Sequence, residues 1–356
     1  MKKNWFDSKV KEFTSIGGYQ KPQLNENSLK LDSNENYVLS KQFQNDIVLG
    51  ARKNSDVREY PLGGVEKLIQ SLSKFVKVPS SMIGIGNGSD QILDLILSNF
   101  ASKQTKVLTS NPTFGFFEER CKLYSIPLIA IPFSNDMKLD IEQFIKESKN
   151  ADILYLDSPN NPTGFQFSKI ELQKLIKSFD GLIIIDEAYG EFSDYSLSTL
   201  VKTQSNLIVV RTLSKSFGMA GLRLGYFVAN KKFTDTFLNV LQYPYPLSTI
   251  TIESGILALE KANLMENATK IIKIERKKII ETLRKFDAFE VFDSQANFVL
   301  FDAGSSYKRV YSALAEQGIS IRKLGKIGNH KGCLRVTIGT KEMNSKFLLA
   351  IRDLLG

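Results

Sequence analysis

Leu182-Ile183-Ile184-Ile185-Asp186-Glu187-Ala188-Tyr189 is the stretch that decides the fold. Four consecutive branched apolar residues leave neither face of a strand for water, as in a parallel strand covered on both sides. The run then stops in two carboxylates and a phenol. Runs of the same kind lie on either side, at Lys106–Thr109, Leu128–Pro132, Asp152–Asp157, Leu207–Arg211 and Leu224–Ala229. Helical stretches separate them, and one opens with the capping box Ser168-Lys169-Ile170-Glu171. Alternating strands and helices over residues 60–230 imply an α/β fold: a doubly wound, mostly parallel sheet with right-handed crossovers.

Beyond residue 250 the rhythm changes. Two helical patterns (251–264 and 267–287) precede short strands at Asn297–Phe301 and Cys333–Ile338 and a last helix over 341–355. The expected division is a large domain over 46–245 and a smaller α+β domain over 246–356, with residues 1–45 packing against the latter.

Composition narrows the function. The chain has 356 residues, 42% hydrophobic and 24% charged, which suits a globular protein and excludes a disordered or fibrous one. No run approaches the ~20 apolar residues of a membrane helix. The start, Met1-Lys2-Lys3-Asn4-Trp5, is basic but leads into no apolar segment, so no signal peptide is read. Cys121 and Cys333 are the only cysteines, which excludes a disulfide framework and a cysteine-based metal site, and the expected compartment is the cytoplasm. His330 is the only histidine, so multi-histidine metal sites are excluded, no metal is expected, and a histidine-centred triad has one residue to be built on. Acid–base work therefore falls to Lys, Asp, Glu or Tyr, or to a cofactor.

The net charge of +9 (47 basic against 38 acidic residues) raises the question of nucleic acid. The basic residues are spread, and the densest group, Lys270, Lys273, Arg276, Lys277 and Lys278, interleaves with Ile271, Ile272, Ile274, Ile279 and Ile280. That is the pattern of the wet face of an amphipathic helix, so nucleic acid is not expected, and the charge excess suits small anionic substrates.

Three polar clusters follow predicted strands: Asp157-Ser158-Pro159-Asn160-Asn161-Pro162-Thr163-Gly164, Asp186-Glu187-Ala188-Tyr189, and Thr212-Leu213-Ser214-Lys215. Open α/β sheets bind ligands outside the carboxyl ends of their strands. Taken singly, the first is a good turn, Asp186 a helix cap and Lys215 a surface lysine. Together they supply what an aldehyde-bearing pyridine cofactor needs. A lysine bonds the aldehyde and later moves a proton, and a carboxylate keeps the pyridine nitrogen protonated. Hydroxyl, arginine and helix-N-terminal amides hold a phosphate. Upstream, Gly84-Ile85-Gly86-Asn87-Gly88-Ser89-Asp90 precedes the apolar run Ile92–Phe100 and reads as a glycine-rich, anion-binding helix start. A dinucleotide site is the competing reading, but the full G-x-G-x-x-G is missing and no acid ends Lys106–Thr109.

Ser214-Lys215 with Arg223 eight residues on, preceded by Asp186-Glu187-Ala188-Tyr189 and Asn161-Pro162-Thr163-Gly164, resembles the fold-type I, class I/II pyridoxal-phosphate-dependent aminotransferases over residues 30–340. The resemblance implies pyridoxal 5'-phosphate as cofactor, Lys215 as the residue that bonds it, and Asp186 as partner of the pyridine nitrogen. It places Tyr189 and Asn161 at the ring hydroxyl. It assigns Ser214, Arg223, Gly88, Ser89 and Asp90 to the phosphate and Phe114 to the ring face; core packing is the other reading of Phe114.

The finer resemblance is to the histidinol-phosphate aminotransferases. It rests on Leu31-Asp32-Ser33-Asn34-Glu35-Asn36, Arg58-Glu59-Tyr60-Pro61, Gly18-Tyr19, Ile319-Ser320-Ile321-Arg322 and Leu334-Arg335-Val336-Thr337-Ile338-Gly339. Tyr37 stands where that group usually has proline. The resemblance implies a homodimer in which Tyr60 reaches the partner's cofactor phosphate, and substrate binding by Tyr19, Arg322 and Arg335. The implied reaction moves an amino group between histidinol phosphate, a phosphorylated amino alcohol, and 2-oxoglutarate, giving glutamate, in histidine biosynthesis. An aromatic amino-acid aminotransferase and a threonine-phosphate decarboxylase are the alternatives. A transcription regulator built on this fold is not expected, because the family-like segment starts by residue 31.

Overall fold

The computed structural model describes residues 2–18 and 28–355. Its strands are β1 (Leu29–Leu31), β2 (Ile83–Asn87), β3 (Val107–Asn111), β4 (Leu128–Pro132), β5 (Ile153–Asp157), β6 (Leu182–Asp186), β7 (Leu207–Thr212), β8 (Leu224–Val228), β9 (Glu290–Val291), β10 (Phe298–Asp302), β11 (Ile319–Ile327) and β12 (His330–Thr337). Seven form the large sheet, in the order β2-β8-β7-β6-β5-β3-β4, with β3 to β7 paired in parallel. Both faces are covered. Leu154, Ile183, Ile185 and Val209 point into one apolar core, and Ile153, Tyr155, Ile184 and Ile208 into the other. This two-sided burial is why β6 reads as an unbroken apolar run.

Two features depart from the sequence reading. β8 runs antiparallel to β7, because residues 213–223 contain only a short 3-10 turn, and a parallel return needs a longer, usually helical, crossover. β2, read above as part of a glycine-rich turn, is an edge strand antiparallel to β8. A Cβ on Gly84 would lie 2.2 Å from the Phe227 ring, and one on Gly86 2.6 Å from the Ile92 side chain, so packing demands these two glycines.

The small sheet has the order β1-β11-β12-β10-β9, with β1, from the N-terminal segment, parallel to β11. The N-terminal segment is thereby divided. β1 joins the small sheet, whereas the helix Lys2–Ile16 lies against Gly115–Leu123 of the large one. The expected capping box is present: Ser168 Oγ accepts from Glu171 N (3.3 Å) and Glu171 Oε2 from Ser168 N (2.9 Å).

The two long helices are Thr249–Glu260 and Ala262–Leu283. Ile252, Ala258, Met265 and Ala268 pack in the core of the large sheet, and Ile272, Ile279 and Leu283 in that of the small one, so the cores part along the second helix. Arg276 was expected on its wet face and is instead buried. Its Nη1 donates to Ala296 O (2.8 Å) and Phe192 O (3.3 Å), and burial lowers its pKa to about 10. Two carbonyl acceptors hold a guanidinium that an isoleucine-rich flank suggested was solvated. Among the described residues, no helix is long and apolar enough to cross a membrane.

Candidate active site

A cavity of about 300 Å³ opens at the carboxyl ends of β5, β6 and β7, between the two sheets. Its floor is a pair of carboxylates. Strand register sets Asp157, the last residue of β5, beside Asp186, the last residue of β6. Asp186 accepts from Ala188 N (2.9 Å) and from the buried Tyr155 hydroxyl (3.2 Å). Burial, and then the neighbouring Asp157, push its pKa up to about 7. Asp157 accepts from Asn161 N (2.7 Å), Asn160 Nδ2 (2.8 Å) and Thr113 Oγ1 (3.0 Å), and burial lifts its pKa to about 6. Among the described residues, no lysine or arginine forms an ion pair with either carboxylate.

Lys215 forms one wall, three residues past the end of β7. Its Nζ donates to Ser33 O (2.9 Å) and sits 5.8 Å from the centre of the Tyr189 ring. Burial, then the nearby Arg335, lower its pKa to about 8. The opposite wall is the start of the helix Gly88–Phe100. Gly88 has φ 75°, and its N–H donates to Arg223 O (2.6 Å). Arg223, itself at φ 54°, pairs through Nη2 with Asp90 Oδ2 (2.7 Å). A Cβ on Gly88 would stand 2.6 Å from that Nη2, a clash that a flexible side chain can relieve, so it is the positive φ that calls for glycine here. Ser214 receives a hydrogen bond from Thr212 Oγ1 (2.9 Å) and completes a set of donors facing one small volume.

The N-terminal segment and the small sheet roof the cavity. Asn34, at φ 57°, donates from its backbone N to Thr337 Oγ1 (3.0 Å) and from Nδ2 to the Tyr189 hydroxyl (2.8 Å). Asn297 Nδ2 holds the Asn34 carbonyl at 2.9 Å. Tyr189 also packs edge-on against Phe298, with ring centres 5.1 Å apart. Arg335 hydrogen-bonds Asn161 Oδ1, donates to Asp32 O (3.0 Å) and lies 5.0 Å over the Phe298 ring. Arg322, on β11, stands directly opposite Arg335, on β12.

Ser89, Asp90, Phe114, Asn161, Asp186, Tyr189, Ser214, Lys215, Arg223, Arg322 and Arg335 thus line one cavity, although they span 247 positions (335 − 89 + 1) of sequence. Gly88 stands behind it as the helix start. Tyr60 does not line it: the residue is 70% exposed and stacked on Tyr245, ring centres 4.3 Å apart. Tyr19 lies outside the described residues. Sequence reasoning missed Asp157, Phe116 and Asn34 as site residues. Asp157 carried a signal, since it ends a predicted strand as Asp186 does. Asn34 lies inside a quoted motif but is linked to Tyr189 only by the tertiary fold.

A family model described as aminotransferase class I and II matches residues 21–351. The chain belongs to this family. The histidinol-phosphate aminotransferase of Pyrococcus furiosus is 35% identical over 91% of this chain and 92% of its own length. That of Thermoanaerobacter pseudethanolicus is 34% identical over 85% and 86%. The crystal structure of the Clostridium acetobutylicum histidinol-phosphate aminotransferase superposes with a TM-score of 0.83 at 28% identity, covering 91% of this chain and 98% of that one.

The cofactor of this aminotransferase is pyridoxal phosphate, and the cavity fits it. Asp186 is a buried acid without a basic partner among the described residues, and a protonated ring nitrogen would supply one. Lys215 is an amine whose pKa is lowered to about 8, lining the same cavity as that acid. The helix start, Ser214 and Arg223 offer amide, hydroxyl and guanidinium donors to a phosphate.

Proposed function

We propose that this aminotransferase moves the amino group of histidinol phosphate to 2-oxoglutarate, forming imidazole acetol phosphate and glutamate, in histidine biosynthesis. One observation carries the substrate reading: Arg322 and Arg335 stand opposite each other across two strands and line the same cavity. Like charges in that relation repel, and a substrate phosphate between them turns the repulsion into charge-assisted hydrogen bonds. The relatives that carry the histidinol-phosphate name at 34–35% identity support the same reading.

Bound pyridoxal phosphate supplies an electron sink for the pair released at the substrate α-carbon. The residues do the rest. Lys215 Nζ bonds the cofactor and then carries the proton to and from that carbon. Asp186 holds positive charge on the ring nitrogen, while Tyr189 and Asn161 hold the ring hydroxyl. Ser214, Arg223 and the amides of Ser89 and Asp90 hold the phosphate, and Phe114 covers the ring. Tyr19 joins Arg322 and Arg335 at the substrate.

The working unit in this reading is a cytoplasmic homodimer, with Tyr60 contributed to the partner's phosphate site; its exposure and its stack on Tyr245 support that role. A mixture of inactive Tyr60→Phe and Lys215→Ala chains should regain activity in hybrid dimers, and failure to regain any excludes a shared site. The test of substrate is a panel of histidinol phosphate, histidinol, phenylalanine, tyrosine and threonine phosphate, read by glutamate formation from 2-oxoglutarate. Equal use of histidinol and histidinol phosphate would overturn the phosphate reading in favour of an aromatic aminotransferase.

A further inference from the structure

At the end of the small sheet, three adjacent strands bring Glu290 (β9), Asp302 (β10) and His330 (β12) together, with their ligand-capable atoms all within 4.8 Å of one another. Asp302 and Glu290 face each other in register, an arrangement of like charges that costs stability unless a cation stands between them. Two of the three groups are fixed in advance. Asp302 Oδ1 accepts from the backbone N–H groups of Gly304 and Gly332, each at 2.8 Å, which turns Oδ2 toward the histidine. His330 is 7% exposed, with its ring edge-on to Phe292.

The hydrogen bonds of His330 determine what Nδ1 offers. Nε2 lies 2.7 Å from Asn135 O, and a carbonyl only accepts, so Nε2 carries the hydrogen. In the neutral ring, Nδ1 is then a lone pair directed at Glu290 Oε2 (3.3 Å) and Asp302 Oδ2 (3.4 Å). A charge-assisted N–H···O bond is shorter, about 2.7–2.9 Å. Two ligands each about 2.0–2.1 Å from a tetrahedral zinc ion are roughly 3.3 Å apart, the spacing seen here. A backbone carbonyl on the far ring nitrogen is also the usual support of a metal-bound histidine.

We propose that Glu290, Asp302 and His330 bind one zinc-like divalent cation, with water completing the coordination. The donor set of one imidazole nitrogen and two carboxylate oxygens suits zinc. Glu290, the exposed member, is the side from which the ion enters. The role is structural. His330 opens the strand that carries Arg335, and its bond to Asn135 O, like that from Asn329 Nδ2 to Asn135 Oδ1 (2.8 Å), ties the small sheet to a loop of the large unit. A metal on Nδ1 polarises the Nε2–H and strengthens that tie.

The test uses the pyridoxal-phosphate-loaded protein, dialysed against chelator and titrated with zinc chloride by calorimetry. One zinc per chain is expected, weakened at least about tenfold by Glu290→Gln and again by Asp302→Asn, since even groups that only support a ligand are worth 10–100-fold. Glu290 is exposed, so its variant should fold, and at one zinc concentration the rise in Tm should be smaller for the variant than for the native protein. Absence of stoichiometric zinc binding, or binding that Glu290→Gln leaves unchanged, overturns the proposal.

Discussion

Replacing Lys215 by methionine should make the protein stripped of pyridoxal phosphate more stable at neutral pH. The native amine has a pKa near 8 against an ordinary 10.5, because burial and Arg335 oppose its charge. At 1.36 kcal/mol per pKa unit, keeping the proton on Lys215 in the folded state costs about 3 kcal/mol. Between pH 8 and 10.5 the unfolded chain binds this proton and the folded chain does not, so stability rises with pH across that window. Below pH 8 both states are protonated and the full cost is present.

Methionine removes the charge and keeps the length, but forfeits the hydrogen bond to Ser33 O, worth about 1 kcal/mol. The net gain at pH 7 is about 2 kcal/mol. At ~2.1 cal/mol/K of unfolding entropy per residue, that is roughly a 3 °C rise in Tm. At pH 9.5 the cost of the proton has fallen to about 1 kcal/mol, and the advantage should nearly close. The assay is thermal unfolding of both proteins at the two pH values. A variant less stable than native at pH 7, or a difference independent of pH, would refute the reasoning. The functional return is reactivity: about one amine in ten is neutral at pH 7, against about one in 3,000 for an ordinary lysine.

Asp186→Asn should retain the cofactor, seen in its absorbance, and lose about 10- to 150-fold in kcat, the worth of a charged hydrogen bond. Arg322→Ala should raise KM for histidinol phosphate about tenfold while changing KM for histidinol much less, in steady-state kinetics. Asn34→Gly keeps the left-handed backbone and removes the bond to the Tyr189 hydroxyl together with the longer one that Asn34 Oδ1 accepts from Thr337 Oγ1 (3.3 Å); kcat should fall about 2- to 10-fold. Combined with Tyr189→Phe, it should be no worse than Tyr189→Phe alone.

Much of the large sheet was legible because its physics is local. The limits of β6 coincide with the apolar run read from sequence, since a strand covered on both faces must be apolar throughout; those of β4 coincide as well, although it is an edge strand in which only Ile131 is buried. β2 was hidden because its glycines answer to packing, Gly84 to Phe227 on the neighbouring strand and Gly86 to Ile92 on the helix that follows. β1 and β9 have three and two residues, too few to show a period. Arg276 was misplaced because its acceptors, Ala296 O and Phe192 O, lie on other elements. The Glu290–Asp302–His330 cluster was passed over because one histidine excludes only multi-histidine sites, and no short spacing joins the three residues.

By itself the sequence determined the residue types of the chemistry and the strand ends on which they stand. An apolar run that stops in Asp186 places a carboxylate at the mouth of a sheet, because the run must be buried and open α/β sheets turn the carboxyl ends of their strands toward a ligand crevice. Only the tertiary structure decided the state of those residues. The pKa of Asp186 is raised by burial and then by Asp157, which register sets beside it; that of Lys215 is lowered by burial and then by Arg335, which arrives from another sheet; and Tyr189 is held by Asn34 from 155 residues upstream. Charge, dielectric and hydrogen bonding act through space, and in this fold the groups that face each other are far apart along the chain.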